Sequence, residues 1–75
     1  MPKIDLGFKV LLVEQDAIFC VDRSYPGRDF STRLETKDVQ KALKMYNVFD
    51  LVQGERKRIV VKEGRKARAI AIHTE

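Results

Sequence analysis

Seventy-five residues make one domain of modest core: 44% of the chain is hydrophobic and 35% charged, the balance of a folded protein rather than a disordered tail. No stretch approaches the roughly 18 apolar residues of a membrane span, so the expectation is a cytoplasmic protein with no membrane partner. The net charge of +4 is unevenly spread, because Met1 to Gln53 carry eight basic and eight acidic residues while Gly54 to Glu75 carry seven and three.

Taken in order, Phe8–Val13 is rich in branched residues and reads as a strand buried on much of both faces. Glu14-Gln15-Asp16 breaks it, and the apolar run Ala17–Val21 reads as the returning strand of a hairpin. Cys20, the one cysteine, lies inside that run, where a thiol acts as a small core hydrophobe. Pro26-Gly27 then reverses the chain, proline fixing φ and glycine permitting the positive φ of a type II turn. Phe30–Glu35 alternates apolar or β-branched with polar residues and predicts a third, half-buried strand.

Thr36 is the expected N-cap of a helix that runs from Lys37 to about Tyr46, with Asp38 favourable in its first turn. Val39, Ala42, Leu43 and Tyr46 recur at i, i+3, i+4 and i+7 as its apolar stripe, with Lys37, Gln40, Lys41 and Lys44 on the other side. Asn47, able to take a left-handed conformation, is the expected stop. Val48–Gln53 returns to β-forming residues and Gly54-Glu55 suits a tight turn.

The last third reads as a hairpin, about residues 56–72, with strands starting at Arg56 and Lys66 around a Glu63-Gly64 turn. The element order expected is β-β-β-α-β-β-β, an α+β domain with a mostly antiparallel sheet and one helix packed on one face. A β-grasp arrangement, with one parallel pairing, is the runner-up. The expected core is Val10, Leu12, Ile18, Phe19, Val39, Leu43, Leu51, Ile59, Val61 and Ile70.

That hairpin holds the whole charge excess, through Arg56, Lys57, Arg58, Lys62, Arg65, Lys66 and Arg68. A positive potential concentrated on one element suits a polyanion better than the same charge dispersed. These seven residues are the candidate contacts of a small, regulatory nucleic-acid-binding module, on DNA or RNA, that touches backbone or groove. On the first strand Arg56, Arg58, Val60 and Lys62 share a face; on the second, Lys66, Arg68, Ile70 and Ile72 oppose Ala67, Ala69 and Ala71. Against this stands the routine use of lysine and arginine to blunt sheet edges.

The phenylalanines, Phe8, Phe19, Phe30 and Phe49, fall in apolar strand contexts and are assigned to the core, which argues against a stacking platform for single strands. His73 is the one histidine, and no spacing of metal ligands or nucleophile and base occurs. The reading therefore names no catalytic residue, metal or cofactor, and expects no enzyme. The alternative is a protein-interaction module acting on a larger partner such as a polymerase, nuclease or ribosome component, with Lys37, Lys41 and Lys44 of the helix as a contact for an acidic surface. A small core and a free sheet edge also lean towards a homodimer.

Overall fold

The computed structural model describes residues 3–7 and 9–75. Their elements run β1 (Lys3–Leu6), β2 (Lys9–Leu12), β3 (Ile18–Ser24), β4 (Ser31–Thr36), α1 (Val39–Val48), β5 (Arg56–Glu63) and β6 (Lys66–Thr74). The architecture is α+β: β1 and β2 form a two-stranded sheet, the others a four-stranded sheet in the order β4-β3-β5-β6, and every pairing among the described residues is antiparallel. No parallel pair of the β-grasp kind occurs among them. Because β3 lies between β4 and β5 and runs against both, the α1 crossover joins two strands of like direction, and α1 packs on β3, β4 and β5.

The order β-β-β-α-β-β-β is corrected at both ends of the helix. Lys3–Leu6 alternates exposed and half-buried residues and pairs with β2, Ile4 opposite Leu11, so β2 and β3 are not hairpin partners. The connector between them is a plug instead: Ala17 N–H bonds Glu14 O at 3.1 Å, and Val13 and Ala17 are both buried. Phe8, assigned to the core from sequence, lies outside the described residues.

After the helix, 49–55 forms no strand. Polar bonds replace a ladder there, with Lys57 Nζ donating to the carbonyls of Tyr46 at 2.7 Å and Phe49 at 3.5 Å, and Glu55 Oε1 accepting from Val52 N–H at 2.7 Å. A type II geometry at Val52–Glu55 explains Gly54, whose φ is +89° and whose missing Cβ would stand 3.1 Å from Pro26 Cγ. Pro26-Gly27 behaves as its dipeptide predicts, with Arg28 N–H bonded to Tyr25 O at 3.0 Å.

The N-cap is Asp38, not Thr36. Its Oδ1 accepts from Gln40 N–H at 2.9 Å and Lys41 N–H at 3.4 Å, while Thr36 Oγ1 accepts from Asp38 N–H one step earlier. The helix continues to Val48, and Asn47 stays within it, since no non-glycine described residue has positive φ.

The core sits between the sheet and the layer made by α1 and the β1–β2 hairpin. Phe19 and Val21 of β3 stand opposite Val61 and Ile59 of β5, and Ala42 of α1 closes over them, all at 1% exposure or less. Each of the larger side chains contributes about 1.5–3 kcal/mol by burial. Val10 and Leu12, expected in the core, are 57% and 53% exposed, because the face of β2 that turns inward carries Leu11. Ile18 and Leu51 are only half-buried.

Candidate nucleic-acid interface

Strand alternation divides the basic hairpin before any tertiary contact is considered. Since Ile59 and Val61 face the helix, Lys57 and Glu63 do too, while Arg56, Arg58, Val60 and Lys62 lie on the helix-free face. On β6 a bulge changes the parity. Ile59 stands opposite Ala71 but Val60 opposite Ala69, so Ile70 is the extra residue. Ile70 and Ala71 both pack against the core, and Ile72 joins Ala67 and Ala69 on the helix-free side, which corrects the simple period-2 assignment of this strand.

The seven cations therefore do not form one surface. Lys57 is turned inwards, its ammonium capping the carbonyl end of α1 and lying 4.4 Å from the Tyr46 ring centre. Arg68 also faces the helix side, where it donates to Leu12 O at 3.2 Å and pairs with Glu63 Oε1 at 3.2 Å. Glu63 Oε2 accepts Glu14 N–H as well, so this cluster ties β5 and β6 to the chain that leaves β2.

Three cations remain on the helix-free face of β5, Arg56 and Arg58 about 7 Å apart and Lys62 about 13 Å beyond Arg58, past Val60. Arg58 Nε donates to Asp22 Oδ2 at 2.7 Å, and Arg56 Nε donates to Ser24 Oγ at 3.1 Å. Both guanidiniums lie over the Phe30 ring, at 4.0 Å and 4.6 Å from its centre. Phe30 is thus half-buried beneath arginines on the helix-free side rather than in the core. Lys62 completes the row, 3.6 Å from Glu35 Oε1.

Arg65 and Lys66 occupy the tip, and Lys66, opposite Glu63, stands with Arg68 on the helix side, away from the row. Gly64, with φ +61°, and Arg65 form the two-residue loop, the pattern of a type II′ turn, so the turn dipeptide is Gly64-Arg65 rather than Glu63-Gly64. Both cations are exposed, and neither has an ion-pair partner among the described residues.

The residues missing from the sequence reading of this surface are Asp22, Ser24 and Phe30. Asp22 and Ser24 are 4% and 1% exposed, yet both point to the helix-free face and are covered by the arginines they hold. A polar Asp-x-Ser pattern ending the apolar strand was the available signal.

Cys20 lies on the same face, its Sγ 3.8 Å from Glu35 Oε1. Burial pushes its thiol up, the Glu35 carboxylate adds to this and Lys62 opposes it; burial also raises the Tyr46 phenol. Both groups favour their neutral forms in the folded state. Their contribution to stability is complete below the ordinary values of 9.0 and 10.0 and is lost as pH rises through the raised folded values. Urea midpoints should therefore hold level through neutral pH and fall above the ordinary thiol range, and native Cys20 should resist alkylation that the unfolded chain undergoes readily.

Among the described residues no group of three His, Cys, Asp or Glu side chains is gathered for a metal, and no helix is long and apolar enough to cross a membrane. Compared with known proteins, the chain matches no family model, no curated protein and no solved structure.

Proposed function

We propose that this protein is a small, regulatory, non-enzymatic nucleic-acid-binding module of the cytoplasm that lays a single strand, or the unpaired part of a folded RNA, across the helix-free face of its four-stranded sheet. The observation that carries the reading is the row Arg56, Arg58 and Lys62, with two guanidiniums spread over Phe30. In place of exposed aromatic rings, which this face lacks among the described residues, fixed guanidinium planes offer both phosphate hydrogen bonds and a surface for base stacking. Arg65 extends the row at the hairpin tip. A broad sheet face suits splayed bases better than the grooves of a duplex, which call for a protruding helix or ribbon.

The test is a titration of labelled single-stranded DNA, duplex DNA and structured RNA at two salt concentrations. With three or four phosphates neutralised, log K against log salt should have a slope of about −2 to −3 on single strands. The double variant Lys62→Ala/Arg65→Ala should weaken binding by about tenfold or more and flatten that slope by about 1.4. Lys57→Met, which removes the helix cap, should lower stability and leave affinity unchanged. If no polymer binds tighter than about 100 μM at low salt, or if the double variant matches the parent, the reading fails. The row would then serve a protein contact centred on the exposed Ile72 beside Val60 and Ala69, whose affinity should hold as salt rises.

A further inference from the structure

On the other side of the sheet, α1 and the edge strand β4 enclose an apolar groove of about 270 Å³, lined by Leu34, Lys41, Lys44, Met45 and Val48. The helical spacing explains it. Lys41, Lys44, Met45 and Val48 fall at i, i+3, i+4 and i+7, a second stripe beside the core stripe of Val39, Ala42, Leu43 and Tyr46. Leu34 and Met45 give a half-buried apolar floor, and Val48 is left 63% exposed at one end. On the rim, Lys41 and Lys44 are exposed without an ion-pair partner among the described residues.

The local charge has one sign. α1 contains no acidic residue, the Asp38 carboxylate is engaged at the helix N-cap, and Glu35 lies on the far face beside Lys62. From this complementarity we infer that the groove docks an acidic segment of a partner protein, which inserts one or two apolar side chains between Leu34, Met45 and Val48 and pairs its carboxylates with Lys41 and Lys44. Side chains, rather than strand addition, hold that segment, because β4 is bulged opposite Val21 and Asp22 and a bulge disrupts a continuous ladder. The groove and the arginine row lie on opposite faces, so this docking does not rest on the nucleic-acid reading and leaves that surface free.

The experiment follows amide shifts of the labelled full chain during titration with a glutamate-rich synthetic peptide of about a dozen residues that carries one leucine and one phenylalanine. The expected result is shifts grouped at Leu34, Lys41, Lys44, Met45 and Val48. Binding should weaken by about tenfold or more when the peptide's glutamates become glutamine, or its leucine and phenylalanine become serine. Lys41→Glu/Lys44→Glu and, separately, Val48→Asp alter exposed side chains, so both variants should keep the parent's spectrum and nucleic-acid affinity while losing the peptide. The inference is overturned if no shifts appear at about 1 mM peptide, if they map to Arg56–Lys62, or if either variant binds the peptide as the parent does. Capture of the same surface by anionic vesicles, with the peptide unbound, would also overturn it.

Discussion

Glu55→Ala should lower the stability of the protein by about 3–5 kcal/mol, the cost of leaving a partly buried charge without its counter-charge. Glu55 is 2% exposed. It accepts from Arg23 Nη2 through both oxygens, at 3.3 Å and 3.2 Å, and from the backbone N–H of Val52 at 2.7 Å. Without it the Arg23 guanidinium keeps the Asp50 carbonyl at 3.4 Å and the Tyr25 and Phe49 rings at 5.2 Å and 5.4 Å, none of which is anionic. Its Nε already lacks a partner among the described residues, so little desolvation is recovered elsewhere. Glu55→Gln keeps an acceptor for Val52 and should cost less. Arg23→Met alone strands the buried carboxylate, whereas the double variant Glu55→Gln/Arg23→Met removes both charges; the cycle should show a coupling of about 1–3 kcal/mol. Denaturant unfolding of the four proteins measures this directly, and additive losses would mean that the pair is not coupled.

What could be read from the sequence was whatever depends on near neighbours. Alternation marked β4 and β5, the i, i+3, i+4 stripe marked α1, and Pro26-Gly27 marked its turn, because each pattern reflects a local period that burial enforces. Strand pairing depends on distant partners. The Phe8–Val13 run is as compatible with a partner before it as after it, and Val13 and Ala17 act as a plug that no period reveals. Val48–Gln53 has strand composition, yet Val48 ends α1, and Lys57 and Glu55 bind the backbone that follows from outside and hold it as a loop. The candidate surface was half legible for the same reason. The alternation of Arg56, Arg58 and Lys62 showed that they share a face, but Lys57 and Arg68 find their partners only in three dimensions. Phe30 belongs with Arg56 and Arg58, far along the chain, so its sequence context suggested core.

Asp22→Asn should lower stability and raise nucleic-acid affinity together, a combination that separates a carboxylate acting as a brace from one acting as a contact. Asp22 is 4% exposed and sits on the central strand, where it spans its neighbours: Oδ2 accepts from Arg58 Nε on β5 at 2.7 Å, and Oδ1 accepts from Thr32 Oγ1 on β4 at 2.8 Å. Asparagine can keep the Thr32 bond through its carbonyl oxygen but loses the ionic partner of Arg58. That guanidinium remains over Phe30, and because its side chain is 34% exposed, water recovers part of the loss. A cost of about 1–2 kcal/mol follows, against about 2–3 kcal/mol for Asp22→Ala, which drops both bonds. On the proposed interface the same change deletes a negative charge beneath the arginine row. Arg58 is then freer to neutralise a phosphate, so single-strand affinity at low salt should rise severalfold and the salt slope should steepen by about 0.7, one contact's worth. Urea denaturation and anisotropy on the same samples decide the matter. A variant that is less stable with unchanged affinity would mean that Arg58 serves the fold alone, and would remove it from the interface.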